Sequence, residues 1–237
     1  MGKSKLFWLL ALFIAPTVLA SSGIAETRSY PVTDFNRIYF SDTGTVYISQ
    51  GVQLSQDGAT VVRAQGSRDT LNHLIVEVSD GVLFIESFGQ ESADLIVNLS
   101  IHELRELVSE GGVVVAESLK VGDLMLEGKG ASSSRLEQLE ADELQILGSG
   151  STEFSLSGQV NRQVIELAGS GDYRARDLLS QSVEANVFGT GSVTLAVAEM
   201  LDIRVLGAAR VSYVGSPYVS QEISGAGAVK QESQHSI

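Results

Sequence analysis

The 237-residue chain has no cysteine. No disulfide can brace it, so packing and hydrogen bonds must hold the fold. Its one tryptophan is Trp8, near the N-terminus. Everything after it lacks the largest aromatic platform on which a sugar ring could stack. Basic residues are scarce, 16 Lys and Arg against 29 Asp and Glu, a net charge of −13. Without Lys3 and Lys5 the balance becomes −15 (14 against 29). Such a surface repels phosphate backbones and bare anionic bilayers, so nucleic acid is not an expected partner. No long apolar run follows Ala20. The mature chain is therefore expected to be soluble and not integral to a membrane.

The first twenty residues read as a secretory signal peptide. Lys3 and Lys5 precede the apolar run Leu6–Ala15, Pro16 interrupts it, and small residues follow at Val18-x-Ala20. Cleavage as late as Ala25 also fits. A single N-terminal anchor is the competing reading, but the run is short for a span. No cysteine follows it, which removes a lipid-anchored form. The expected product is an exported protein of the periplasm or cell envelope, or a secreted one. Residues 21–33 read as an exposed leader, 34–230 as one domain (34–110 N-terminal strands, 111–230 repeats) and 231–237 as a polar tail. The tail carries no barrel segment or wall-sorting signal, so no translocator is expected on this chain.

Strand signals fill the domain. Ile38, Phe40, Val46 and Ile48 alternate around the turn Asp42-Thr43-Gly44. Thr60–Ala64 is another alternating stretch, and Asp94–Ile101 closes the N-terminal part. Leu74–Val78, the Asp80-Gly81 turn and Val82–Ile85 predict a hairpin, since Asp-Gly supplies positive φ. Arg68–Leu74 is the one stretch suited to a helical turn.

From Gly111-Gly112 onward the chain repeats. Gly-x-Gly stands at Gly128/Gly130, Gly148/Gly150, Gly169/Gly171, Gly189/Gly191 and Gly225/Gly227, and Gly207-Ala208-Ala209 is a degenerate copy. Counted on the first glycine, the steps are 20, 21, 20, 18 and 18 residues. Two positions upstream stand Leu126, Ile146, Leu167, Val187, Val205 and Ile223, which are expected to form one inward core column. Each copy reads strand, glycine corner, strand with one apolar face. Residues 135–144 look helical in isolation, but other copies do not keep that spacing, so strand and turn are expected. The period predicts an all-β parallel β-helix with coils of about 20 residues, over an antiparallel sheet stack. The glycines serve as corners there, because a bulky side chain would meet the next coil about 4.8 Å away.

The ordered set of motifs carries a resemblance. Val211-Ser-Tyr-Val-Gly-Ser-Pro217 with Ile223-Ser-Gly-Ala-Gly227, the Gly-Ser-Gly copies at 148 and 169, Phe35–Ile38 with Val46–Gly51, and Asp80–Ile85 are together similar to the head GIN domain family, whose members carry the label auto-transporter adhesin. The resemblance covers residues of about 34 to 230 and departs at Ala209, where the second glycine is lost. It implies a right-handed β-helix in an exported envelope protein, and it brings no catalytic residues to carry over.

The remaining candidate chemistry is thin. A dinucleotide site needs Gly-x-Gly-x-x-Gly between strand and helix, and Gly128-Lys129-Gly130 lacks the Ser or Thr of a P-loop. His73, His102 and His235 show no metal spacing. Glu137, Glu140, Asp142 and Glu143 lack a calcium-loop pattern and read as a solvated face. Asp172, Tyr173, Arg174, Arg176 and Asp177 form the one tight mixed-charge group in the repeats, the first place to look for a binding patch; exposed ion pairing is the default. No cofactor is expected. The expected role is non-enzymatic contact, adhesion or scaffolding toward an envelope protein or glycan. The competing reading is a carbohydrate-binding or carbohydrate-active β-helix. Self-association through the ends of the coil stack is a further expectation.

Overall fold

The computed structural model describes residues 25–51, 60–88 and 93–233. The expected signal peptide, His235 and most of the expected polar tail lie outside them. The fold is a β-solenoid of about six turns, as the repeat and the resemblance predict. Each turn has a first side leading into a glycine corner, a second side leaving it, and a shorter third side.

Among the described residues, eighteen strands build it. The N-terminal part contains β1 (Glu26–Val32), β2 (Arg37–Ser41), β3 (Thr45–Gln50), β4 (Thr60–Gly66), the helix α1 (Arg68–His73), β5 (Leu74–Ser79), β6 (Val82–Ser87) and β7 (Ile96–Ile101). Then follow β8 (Glu106–Glu110), β9 (Val113–Ala116), β10 (Leu119–Lys120) and β11 (Asp123–Gly130). Four long strands run through corners: β12 (Ser133–Gly150), β13 (Glu153–Gly169), β14 (Asp172–Gly189) and β15 (Ser192–Gly207). The stack ends with β16 (Arg210–Val214), β17 (Tyr218–Gly225) and β18 (Ala228–Gln231).

Parallel pairing joins each coil to the next, and it extends into the N-terminal part. β2 lies between β6 and β8, and β3 lies between β7 and β9. The first coil in sequence is thus sandwiched between two coils made later. At this end β5 adds antiparallel to β6, β4 adds antiparallel to β7, and β1 adds antiparallel to β4. Within the stretch expected to be a leader, Glu26–Val32 is therefore strand β1. Its Tyr30 packs against the core and Val32 is buried in it, while Pro31 obscures the alternation in the sequence.

The helix and hairpin stand where the sequence places them. Ser67 caps α1 by accepting from the Thr70 N–H (3.2 Å), and Asp94 accepts from the Ser67 N–H (2.8 Å) and the Thr70 hydroxyl (2.7 Å). Leu71, on α1, is buried in the core. Asp80 and Gly81 adopt φ of 50° and 76° in the turn between β5 and β6. Residues 135–144 are strand, within β12.

The glycine ladder differs from the sequence alignment. The residues stacked at positive φ are Gly130, Gly150, Gly169, Gly189, Gly207 and Gly225, with φ of 64°, 97°, 121°, 138°, 132° and 117°. They are second glycines in the first two copies and first glycines thereafter. Gly128 and Gly148 pair with each other, but Gly148 pairs with Leu167. Gly171, Gly191 and Gly227 lie outside the left-handed region. The expected core column is consequently two columns. One runs Leu126, Ile146, Ile165, Ala185, Ile203 and Gln221; the other runs Gly128, Gly148, Leu167, Val187, Val205 and Ile223. All the aliphatic members are buried except Ile223, which is 39% exposed because, among the described residues, no coil covers the last one.

The cause lies between the end of the second side and the third side. Register shifts fall at Leu136/Leu139, Ser155/Ser157, Ala175/Leu179 and Ser180/Ser182. Bulges there absorb changes in coil length, so the first and second sides stay in register. Ala209 is fully buried, beyond the corner on the Gly171–Gly191 side rather than at it. The lost glycine leaves the corner ladder intact, because that ladder uses Gly207.

Candidate functional site

The expected patch on β14 is satisfied from within. Asp172 accepts from the Ser192 hydroxyl (2.5 Å) and pairs with Arg174 (3.1 Å). Arg174 also pairs with Glu153 across the coil step. Arg176 pairs with Glu232 and donates to the Ser233 carbonyl (3.3 Å), and Asp177 is exposed. Tyr173 is not at the surface. It is fully buried in the column Ser134–Phe154–Tyr173–Val193. Its hydroxyl donates to Gln163 (2.6 Å), whose amide donates in turn to Ser180. Burial pushes the Tyr173 phenol far above its usual range. The period-2 alternation of β14 places it inward, which its charged neighbours masked.

The acidic cluster is dispersed. Glu140 pairs with Lys120 (2.7 Å), Glu143 with Arg162 (3.0 Å), and Asp142 accepts from Asn161 (3.0 Å). Among the described residues, no three His, Asp or Glu side chains gather as a metal site. His73 and His102 are exposed, and His73 contacts the Asp69 carbonyl through Nδ1 (2.9 Å).

Two features lie in the N-terminal coils, which sequence reading passed over. The first is a network on the first side. Tyr39 donates to Glu110 (2.7 Å), and Lys129 pairs with Glu110 (3.2 Å) and Glu127 (3.4 Å), so β2, β8 and β11 are stitched together. The Tyr39 hydrogen bond, with help from Lys129, holds the Glu110 carboxyl below its ordinary range. Burial and Glu110 itself raise the Tyr39 phenol, and Glu110 raises Lys129.

The second feature is a groove of about 580 Å3 across the second side. Register brings Arg63, Asn98, Tyr47 and Val115 into one outward row over β4, β7, β3 and β9. Tyr47 stands 45% exposed in it. Beside the row, Ser49 and Ser100 share a hydrogen bond (2.9 Å), and Gln50 donates to the His102 and Lys120 carbonyls (3.1 and 2.8 Å). Gln50 also accepts from the Lys120 N–H (2.6 Å). Glu117 and Ser118 complete the rim. The floor is held by these bonds before any ligand arrives, and the wall offers one aromatic face among polar groups.

The fold and these surfaces define a β-solenoid that carries ion pairs on its repeat faces and a groove walled by Tyr47 across its N-terminal coils. Residues 34–217 match the family described as "Putative auto-transporter adhesin, head GIN domain", and the chain belongs to it. The crystal structure of a putative adhesin from Bacteroides fragilis is similar at 27% identity and a TM-score of 0.80, covering 89% of this chain and 98% of that one. Two structures from Parabacteroides distasonis, a putative adhesin (TM-score 0.68) and a putative lipid binding protein (0.65), share the fold. Each is 22% identical and covers 89% of this chain and 98% of its own. No curated protein matches the chain.

Proposed function

We propose that the protein is an exported, non-enzymatic contact protein of the cell envelope, adhesion-like in role, which engages a partner through the groove at Tyr47. The observation that carries this reading is the groove itself. An exposed aromatic ring rises from a floor already fixed by Ser49, Ser100 and Gln50, and a preorganised floor spares the ordering cost of binding. Membership of an adhesin family supports the contact role, and the secretory N-terminus supports export.

The groove also favours one partner chemistry, a glycan. A tyrosine face among amide, hydroxyl and charged groups suits a sugar ring, which presents an apolar face and a hydroxyl rim. The experiment is a glycan array and an envelope-fraction pull-down with the mature protein and Tyr47→Ala, alongside a reducing-end assay. Binding lost in Tyr47→Ala with no new reducing ends supports the reading. Equal binding by both proteins removes the groove, and release of reducing ends removes the non-enzymatic role.

A further inference from the structure

The two ends of the solenoid are built differently. At the N-terminal end β5, β4 and β1 add antiparallel strands, and α1 inserts Leu71 into the core. At the other end β17 pairs with β15 and β18 with β16, and among the described residues neither has a partner beyond. Ile203 is fully buried, while Gln221, stacked on it, is exposed. Met200 and Tyr218, paired across β15 and β17, are 56% and 76% exposed. We propose that this end is a self-association surface, where β17 of a second copy pairs antiparallel with β17 about a two-fold axis at Gln221.

The direction of the free hydrogen-bonding groups follows from the ladder. The Gly189 carbonyl accepts from Ala208 in the next coil. Gly189 shares its parity with inward-facing Val187, and N–H and C=O of one residue point to the same side of a strand. Val219, Gln221 and Ile223 have that parity in the last coil, so they turn their N–H and C=O groups outward along the solenoid axis. An unpaired row of this kind templates another strand.

Among the described residues, the chain after β18 turns away from it, since Glu232 and Ser233 contact Arg176. The first strand, β1, belongs to the opposite end. Pro217, without an N–H, blunts the third side next to β17.

The sequence of β17 is self-complementary about Gln221. In that register Val219 lies opposite Ile223 of the second copy, so aliphatics left open at the end cover one another. Gln221 faces Gln221, where two amides can exchange hydrogen bonds. Glu222 meets Ser220 rather than a second Glu222, which avoids facing like charges. A two-fold contact of this kind closes after two copies, so a dimer forms rather than a fibre.

The absence of cysteine makes the test direct, and it does not depend on the groove. Sedimentation of the mature protein up to several hundred micromolar should show monomer and dimer in a concentration-dependent ratio. Gln221→Pro removes an N–H that faces outward, and should weaken the dimer tenfold or more. Gln221→Cys should form a disulfide-linked dimer under mild oxidation, because a hydrogen-bonded antiparallel pair sets Cα atoms at about 5.5 Å, within disulfide range. Ser155→Cys, on the second side, serves as the control. Monomer alone throughout, species larger than a dimer, or equal cross-linking of both cysteine variants would overturn the proposal. If Gln221→Pro melts early, the cross-linking comparison decides.

Discussion

Gly148 lies over Leu167, not over Gly169. A Cβ at Gly148 would sit 2.7 Å from Leu167 Cδ2 and 3.2 Å from the Phe154 ring. Gly128, in the same column, would meet the Phe154 ring at 3.0 Å. These two glycines therefore make room for a large neighbour and do not turn a corner.

That relationship predicts coupling. Gly148→Val should cost about 1–3 kcal/mol through overpacking, and Leu167→Ala about 2–5 kcal/mol through its cavity. The double variant should lose less than the two losses combined, because the truncated leucine admits the new side chain. Urea unfolding of the four proteins measures this; strict additivity would mean the two sites do not touch.

The corner ladder predicts an asymmetry between residues that look alike in sequence. Gly150 has φ of 97°, and a Cβ there would sit 2.8 Å from the Gly130 carbonyl oxygen. Gly150→Ala should cost about 1–3 kcal/mol for strain. Ala209→Gly alters a residue outside the left-handed region and should cost about 0.5–1 kcal/mol. Chemical denaturation ranks them, and the reverse order would move the corner.

Tyr173 and Gln163 form a buried pair in the C-terminal coils. Tyr173→Phe leaves the Gln163 carbonyl without its donor and should cost about 1–3 kcal/mol. Because burial raises the phenol, the unfolded state releases this proton near pH 10 while the folded state keeps it. The contribution is complete below pH 10 and declines as pH rises beyond it. Melting temperatures between pH 8 and pH 11 should therefore fall more steeply for the parent than for Tyr173→Phe.

Acid acts with the opposite sign. Glu110, lowered by Tyr39 and Lys129, and Asp94, lowered by Thr70 and Ser67, have folded values beneath their ordinary 4.5 and 3.8. Each contributes stability above its ordinary value, and that stability is lost as pH falls through the folded one. Glu110→Gln and Asp94→Asn should each flatten the acid limb of a melting-temperature profile below about pH 4.5. An unchanged limb in both would assign acid unfolding to other groups.

Local signals in the sequence translate directly into structure. The Asp80-Gly81 turn and the α1 stretch follow from a few neighbouring residues, whereas the strand across 135–144 follows from comparison with the other copies of the repeat. The coil period is legible for the same reason, since it repeats. The phase of the ladder is not legible, because bulges near Leu136, Ser155 and Ala175 shift register without altering the glycine motif. Ile223 has the pattern of a core residue and lacks only a neighbour, a fact about the end of the stack. The groove escapes notice because Tyr47, Asn98 and Arg63 are distant in sequence and meet through pairings of non-repeated strands.

The sandwiched position of β2 and β3 bears on how the chain comes to be wound. Residues 37–50 are synthesised first, yet their flanking strands come from residues 82–101 and 106–116. Winding cannot simply follow the chain off the ribosome from its N-terminus. The earliest coil must wait unpaired until residues 82–101 exist and paired on one side only until residues 106–116 follow, and only then can the later turns add in order, each on an edge already made. A fragment ending before residue 106 would leave one edge of that coil bare, whereas a fragment ending at a later corner would lose only its last turns.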